Sequence, residues 1–294
     1  MKVLVTGGNG LLGQHLIKTL LEQKYEVIAI GKGPARIPFP ADLYSYFDVD
    51  ITDGFRLNDL MRSESPEIVV HTAAMTQVDT CELNQNLCFK VNVEGTANLI
   101  MEAEAYSRFF IYISTDFVFD GDKGDYSEED ELNPVNWYGF TKMQAESIVQ
   151  GAEMPWSIVR TCLVYGNALS GTRTNIVSWV RDNLMGGKNI RVVSDQSRTP
   201  TYIADLVQGI LLLIRQTATG IFHISGEEVL TPFDMAVKTA DFFGLDKNMM
   251  EKVDQSTFSQ PGRRPLRTGF NIEKAKTQLG YKPISFDAAL KLMK

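Results

Sequence analysis

Tyr138 and Lys142 stand four residues apart in the run Tyr138-Gly139-Phe140-Thr141-Lys142. Residues four apart share one face of a helix, so a phenol and an ammonium can meet at one point. A phenol with a pKa near ~10 exchanges protons poorly at neutral pH. A cation fixed beside it favours the phenolate, lowers that pKa and makes proton exchange with an alcohol or carbonyl practical. One loop upstream, Ile113-Ser114-Thr115-Asp116 closes an apolar run, and the Thr115 hydroxyl there could hydrogen-bond a substrate oxygen while Tyr138 donates a proton to it. Each residue has an ordinary structural explanation: Thr115 as a strand-end cap, Tyr138 as a helix-start aromatic, Lys142 as a surface charge. Their order and setting are what favour chemistry.

A second constellation opens the chain. Thr6-Gly7-Gly8-Asn9-Gly10-Leu11-Leu12-Gly13 fits G-x-G-x-x-G through Gly8, Gly10 and Gly13, and G-x-x-G-x-x-G through Gly7, Gly10 and Gly13. Between a strand and a helix, such glycines allow a tight turn and close approach of a pyrophosphate to the helix amino terminus. Gly7, Gly10, Leu11, Leu12 and Gly13 are therefore expected to bind a dinucleotide. An NAD site usually has an acid about 20 residues on, after the second strand. Here the chain reads Ile30-Gly31-Lys32-Gly33-Pro34-Ala35-Arg36. Lys32 and Arg36 could meet a 2′-phosphate or could be solvated loop charges. NADP(H) is the favoured cofactor, with NAD(H) the alternative. Asp50-Ile51 is expected at the adenine ring, and the small residues Thr72-Ala73-Ala74 where the cofactor lies close.

The elements that must position these groups alternate through the first half. Strands are expected at Lys2 to Thr6, Tyr25 to Ile30, Leu43 to Phe47, Ile68 to His71, Phe109 to Ser114 and Trp156 to Arg160. A helix follows the first strand, and a long one runs to about Tyr106. Such alternation implies a parallel sheet with right-handed crossovers and helices on both faces. The expected fold class is α/β, a Rossmann-like doubly wound parallel sheet with a smaller C-terminal lobe. The division falls into a cofactor domain at 1–165 and a substrate lobe at 166–294, with part of 201–224 returning to the first. The second lobe should contain helices near Asn175 to Met185 and Ile203 to Ile214, with a strand at Ile190 to Val193.

Composition narrows the function classes. A net charge of −7 argues against a general nucleic-acid binder. The apolar stretch at Ile210 to Ile214 is too short to span a bilayer. Strand-like residues from Lys2 leave no room for a signal peptide. Cys81, Cys88 and Cys162 are odd in number and lack metal-ligand spacing, so reduced thiols in a cytoplasmic protein and no metal are expected. A homodimer is left open.

With these parts in order, the chain resembles the extended short-chain dehydrogenase/reductases. Within them, Ser114-Thr115-Asp116-Phe117-Val118-Phe119-Asp120-Gly121 is similar to the dTDP-4-dehydrorhamnose reductase branch, as is Val78-Asp79 with Glu82. So is Asp195-Gln196 followed by Thr199-Pro200-Thr201-Tyr202 and Ala204-Asp205-Leu206. The resemblance implies that Tyr138 is the proton donor, Thr115 helps polarise a keto group, Lys142 binds the nicotinamide ribose and Asp116 contacts the sugar. The implied reaction is hydride transfer from NAD(P)H to the C4 carbonyl of a nucleotide-linked 4-keto-6-deoxy sugar, with dTDP-4-dehydro-L-rhamnose going to dTDP-L-rhamnose the first expectation. That branch typically has Trp in the strand entering the second lobe; this chain has Leu163, apolar but without a flat stacking face. Arg264, in Arg263-Arg264-Pro265, is a candidate diphosphate ligand, because guanidinium groups bind phosphate bidentately, or else part of a solvated basic loop. Nucleotide-sugar 4,6-dehydratases resemble one another in placing Asp-Glu after the active Thr, whereas Phe117 follows Asp116 here. An epimerase remains an alternative. Cys81-Glu82 and Leu87 to Gly95 are similar to the regulatory β subunit of methionine adenosyltransferase, which implies a non-catalytic, NADP-binding alternative.

Overall fold

The structure is a computed structural model that describes residues 1–40, 42–171 and 174–293. Its strands are β1 (Lys2–Thr6), β2 (Glu26–Gly31), β3 (Tyr44–Asp48), β4 (Ile68–His71), β5 (Phe109–Thr115), β6 (Trp156–Thr161), β7 (Val164–Tyr165), β8 (Ile190–Val193), β9 (Thr201–Tyr202), β10 (Gly220–His223) and β11 (Met250–Val253). Seven of them form one sheet in the order β10-β6-β5-β4-β1-β2-β3. Every pairing in it is parallel. The chain leaves β1 toward β2 on one side and returns to β4 on the other, so a crevice opens at the carboxyl ends of β1 and β4. Open α/β sheets bind ligands at such a switch point.

The helices are α1 (Leu11–Glu22), α2 (Gly54–Glu64), α3 (Val78–Leu83), α4 (Gln85–Phe89), α5 (Gly95–Tyr106), α6 (Trp137–Gln150), α7 (Ile176–Met185), α8 (Ile203–Gln216), α9 (Pro232–Phe243) and α10 (Phe286–Leu292). Alternate strand residues feed opposite layers, as a side-chain period of two requires. Val3 and Val5 pack with Leu16, Ile17 and Leu20 of α1 and Leu206 and Ile210 of α8. Leu4, between them, packs with Leu57 of α2, Leu99 of α5 and Val149 of α6. Each such side chain, buried fully, stabilises the fold by about 1.5–3 kcal/mol. These two layers, rather than the loops above them, hold the framework of the site. The fold is the expected α/β class, a Rossmann-like sheet.

Strand positions agree with the sequence expectation to within a residue or two. The helix expected to run to about Tyr106 ends there, but the helical segment leading to it is interrupted. It breaks at Asn84, where φ is −129° and ψ 57°, and widens into a π turn over Lys90–Glu94 before α5. Asn92 lies within that turn. Its side chain receives a hydrogen bond from Met75 N at 2.7 Å and donates to Met75 O and Thr141 Oγ1, both at 3.0 Å. Those bonds tie the end of β4 to α6.

The C-terminal part adds a β7–β9 pair and a β8–β11 pair, with α7 and α9 packed together. From 201–224, α8 covers the main sheet beside α1 and β10 pairs with β6. No helix among the described residues is long and apolar enough to cross a membrane.

Candidate active site

The crevice begins at the β1–α1 turn. Gly7 has φ +68°, and a Cβ there would lie 2.8 Å from Thr72 Oγ1 and 2.9 Å from Ala73 N. Gly13 sits against the turn itself, its Cβ position only 2.3 Å from Gly7 O. Gly10 caps α1 without a side-chain hydrogen bond, and the first turn contains no acid. The result is a narrow backbone cradle facing an uncapped helix amino terminus, which suits a pyrophosphate. Thr6 closes its floor: its hydroxyl receives the N–H groups of Thr72 and Ala73, both at 3.1 Å, and bonds His71 Nδ1 at 2.7 Å. Ala74 continues from Ala73 as a half-buried loop residue. Leu11 and Leu12 are half-buried at the helix start.

Beyond β2, the loop that contains Lys32 and Arg36 is organised by Asn9, to which the sequence analysis gave no role. Asn9 Nδ2 donates to Lys32 O, Pro34 O and Tyr46 Oη, and its Oδ1 accepts from Arg36 N. Lys32 pairs with Asp50 at 2.6 Å. These two residues, expected at a 2′-phosphate and at the adenine, therefore meet each other. Arg36 donates to Asn9 O and to Gly171 O in the loop beyond β7. Ile51 is buried and faces α5, where a Cβ on Gly95 would lie 2.8 Å from it; its side chain belongs to the core rather than to the crevice.

Across the sheet edge, α6 is drawn tightly onto the end of β5. Asn136 caps it, accepting from Gly139 N at 2.8 Å, and also donates to Arg263 O at 2.7 Å. A Cβ on Gly139 would stand 2.0 Å from Phe117 O, so the second residue of the Tyr-Gly-x-x-Lys run must be glycine for this approach. Tyr138 is thereby buried beside Thr115, its ring edge-on to Phe117 at 6.0 Å. Burial raises the phenol pKa well above its usual value. The Thr115 hydroxyl opposes that shift and the Asp116 carboxylate adds to it. The expectation that Lys142 would depress the phenol pKa does not hold here. The Lys142 ammonium points into the sheet, donating to Ile113 O at 2.7 Å, and burial brings its own pKa down to about 7. Tyr138 is thus a protonated phenol at neutral pH, in the state a proton donor requires.

Asp116 is buried too, and it faces the second lobe. It accepts from Thr268 Oγ1 and Thr115 Oγ1 and pairs with Arg198 Nε at 3.4 Å. Burial raises its pKa, with Arg198 and Thr268 working against the rise. Arg198 also donates to Pro265 O at 2.7 Å and Leu266 O at 3.1 Å, so one guanidinium joins β5, the loop before β9 and the chain after Arg264. Sequence reasoning missed Arg198, although it lies inside the Asp195 to Leu206 block. Arg264 is held by Asp79 through both terminal guanidinium nitrogens, and Gly262 N donates to the same carboxylate. That partner keeps the Asp79 carboxyl below its ordinary pKa. Leu163 stands between β6 and β7 with φ +39° and 39% of its surface exposed. A leucine in the left-handed region is strained, and strain of this kind clusters at functional sites.

The three cysteines are buried and free, and among the described residues no cluster of His, Cys, Asp or Glu is placed to hold a metal.

A parallel Rossmann sheet with Thr, Tyr and Lys at the β5–α6 edge defines an extended short-chain dehydrogenase/reductase. The RmlD substrate binding domain family matches residues 1–294, and the chain belongs to that family. It is 32% identical over 285 residues to the probable low-salt glycan biosynthesis reductase Agl14 of Haloferax volcanii, covering 95% of this chain and 93% of that one. It is 29% identical over 260 residues to the methionine adenosyltransferase 2 subunit beta of Bos taurus, covering 87% and 76%. The crystal structure of dTDP-4-dehydrorhamnose reductase from Bacillus anthracis in complex with NADP superposes with a TM-score of 0.87 at 28% identity, covering 99% of this chain and 98% of that one.

Proposed function

We propose that this chain is an NADPH-dependent reductase of the C4 keto group of a nucleotide-linked 4-keto-6-deoxy sugar, with dTDP-4-dehydro-L-rhamnose as the first candidate substrate. Residues 1–165, with part of 201–224 returning to their sheet, hold the cofactor, and the rest of 166–294 completes the sugar site. The observation that carries this reading is the buried Tyr138 beside Thr115 at the sheet edge next to the glycine cradle. The cradle fits a dinucleotide because Gly7 and Gly13 leave a space that side chains would fill. NADPH supplies the hydride to the keto carbon.

The protein supplies orientation and a proton. Thr115 Oγ, turning its one proton from Asp116, donates a hydrogen bond to the keto oxygen, and Tyr138 Oη gives that oxygen its proton as negative charge develops on it. Lys142 binds the nicotinamide ribose. Leu163 and Arg264 contact the nucleotide sugar, and Lys32 meets the cofactor's 2′-phosphate once Asp50 releases it.

The test is to follow oxidation of NADPH and of NADH with freshly prepared dTDP-4-dehydro-L-rhamnose. Turnover faster with NADPH is expected. No turnover with either cofactor, in a protein that binds NADPH, would overturn it.

A second reading is a non-catalytic NADP-binding regulatory subunit. It is favoured by the internal commitments of three expected ligand groups: Asp116 to Arg198, Arg264 to Asp79 and Lys32 to Asp50. An inert chain that binds NADPH and co-purifies with a synthetase would support it.

A further inference from the structure

Lys142 is a buried ammonium without a carboxylate at ion-pair distance among the described residues. Glu146, one turn further along the same face of α6, is committed elsewhere. It accepts from Arg160 Nη2 at 2.8 Å, from Arg160 Nε and from Ser114 Oγ. The remaining groups around Lys142 are weakly charged or neutral. His71 on β4 is kept uncharged by burial first and by Lys142 second, its pKa lowered to about 3. Cys88 on α4 is a further titratable neighbour, and like Glu146 it pushes the Lys142 pKa up. An ammonium has three donors, and one is used on Ile113 O.

What lies beneath the ammonium is the face of Tyr112, at 4.0 Å from Lys142 Nζ to the ring centroid. Tyr112 is in the middle of β5 and is buried, with His71 packed beside it at 5.5 Å between ring centroids. A ring face at this range attracts a cation, most strongly where both are out of water. The phenol oxygen of Tyr112 has no well-formed hydrogen bond. The Thr96 hydroxyl near it is already donating to Asn92 O at 2.7 Å and bonding His71 Nε2 at 3.0 Å. A buried, unpaired hydroxyl costs stability. The useful part of Tyr112 is therefore its ring, and the ring is turned to Lys142.

We propose that Tyr112 is a positioning residue whose ring face seats the Lys142 ammonium and keeps it protonated at the floor of the crevice. This rests on the reading of Lys142 as the group that binds the cofactor ribose. Burial draws the Lys142 pKa down and Glu146 pushes it back up; the ring adds to the same side as Glu146. Loss of the face should lower that pKa further, and the charged form is the one present below it.

The direct test is the titration of Lys142 itself. Its acetylation by trace acetic anhydride is measured as a function of pH by peptide mass spectrometry, in the unsubstituted protein and in Tyr112→Phe, Tyr112→Leu and Tyr112→Met. Phe keeps the face and loses the unpaired hydroxyl; Met fills the space flexibly and guards against a Leu variant that fails to fold. The expected result is one midpoint for the unsubstituted protein and Tyr112→Phe, with Leu and Met displaced by about one pH unit to the acid side. Coincident midpoints in all four proteins would overturn the proposal, as would a Phe variant that shifts with Leu. The basic limb of kcat/KM for the keto sugar should move with the labelling midpoint. If labelling shifts while no variant turns over the sugar, the reductase reading fails and the seat stands.

Discussion

The two ends of the crevice are made of different materials. At the cofactor end the decisive features are backbone: the Gly7 turn, the close approach at Gly13 and the uncapped amino terminus of α1. At the end facing the second lobe they are side chains bound to one another: Asp116 to Arg198 and Thr268, Arg264 to Asp79, and Asn136 to the carbonyl of Arg263. The first end is a shape that must stay empty, and the second is a set of charges that must stay balanced. Added atoms should damage one, and lost partners the other.

The sharpest break is expected at Arg198. Arg198→Met leaves the Asp116 carboxyl buried without its cation, and removal of one partner of a buried pair costs about 3–5 kcal/mol. Urea denaturation should show it, and Asp116→Asn in the same background should recover part of the loss. A change below about 1 kcal/mol would mean that Arg198 does not hold the lobes together. At the other end, Gly13→Val forces a side chain into Gly7 O. Overpacking of this kind costs about 1–3 kcal/mol, so NADPH affinity by fluorescence titration should fall by roughly 10-fold to 100-fold. Unchanged affinity would show that the turn does not face the pyrophosphate.

Smaller effects sharpen the contrast. Asp79→Ala frees Arg264 from a partly exposed pair worth up to about 1 kcal/mol. The KM for the nucleotide sugar should drop by up to about fivefold with NADPH affinity unaltered. A higher KM would make Asp79 the residue that aims Arg264. Lys32→Ala should weaken NADPH binding by up to about fivefold and leave NADH untouched; equal losses would remove Lys32 from the 2′-phosphate site.

The same contrast explains what could be read from the chain alone. The glycine turn is local, so residue types between a strand and a helix suffice to recognise it. The central strands are apolar runs in a sheet covered on both faces, and their limits were legible to within a residue or two. Arg198 was not, because its partners lie at 116 and 265–266, and no local pattern announces them. The π turn at Lys90–Glu94 contains Asn92, whose partners Met75 and Thr141 again lie across the chain. The sign of the Tyr138 shift depends on burial, which spacing on a helix does not reveal. One signal was present and passed over: Thr231 and Asp234 form a capping box around Pro232, and Gly244 ends α9 at φ +66°.

The central claim is that Tyr138 is the proton donor of a keto-sugar reduction, and one experiment separates its binding from its chemistry. NADPH affinity and turnover of dTDP-4-dehydro-L-rhamnose are measured side by side in the unsubstituted protein and in Tyr138→Phe. The account predicts affinity unchanged within about twofold and kcat reduced by about 10²-fold or more. Near-normal turnover in Tyr138→Phe would contradict it.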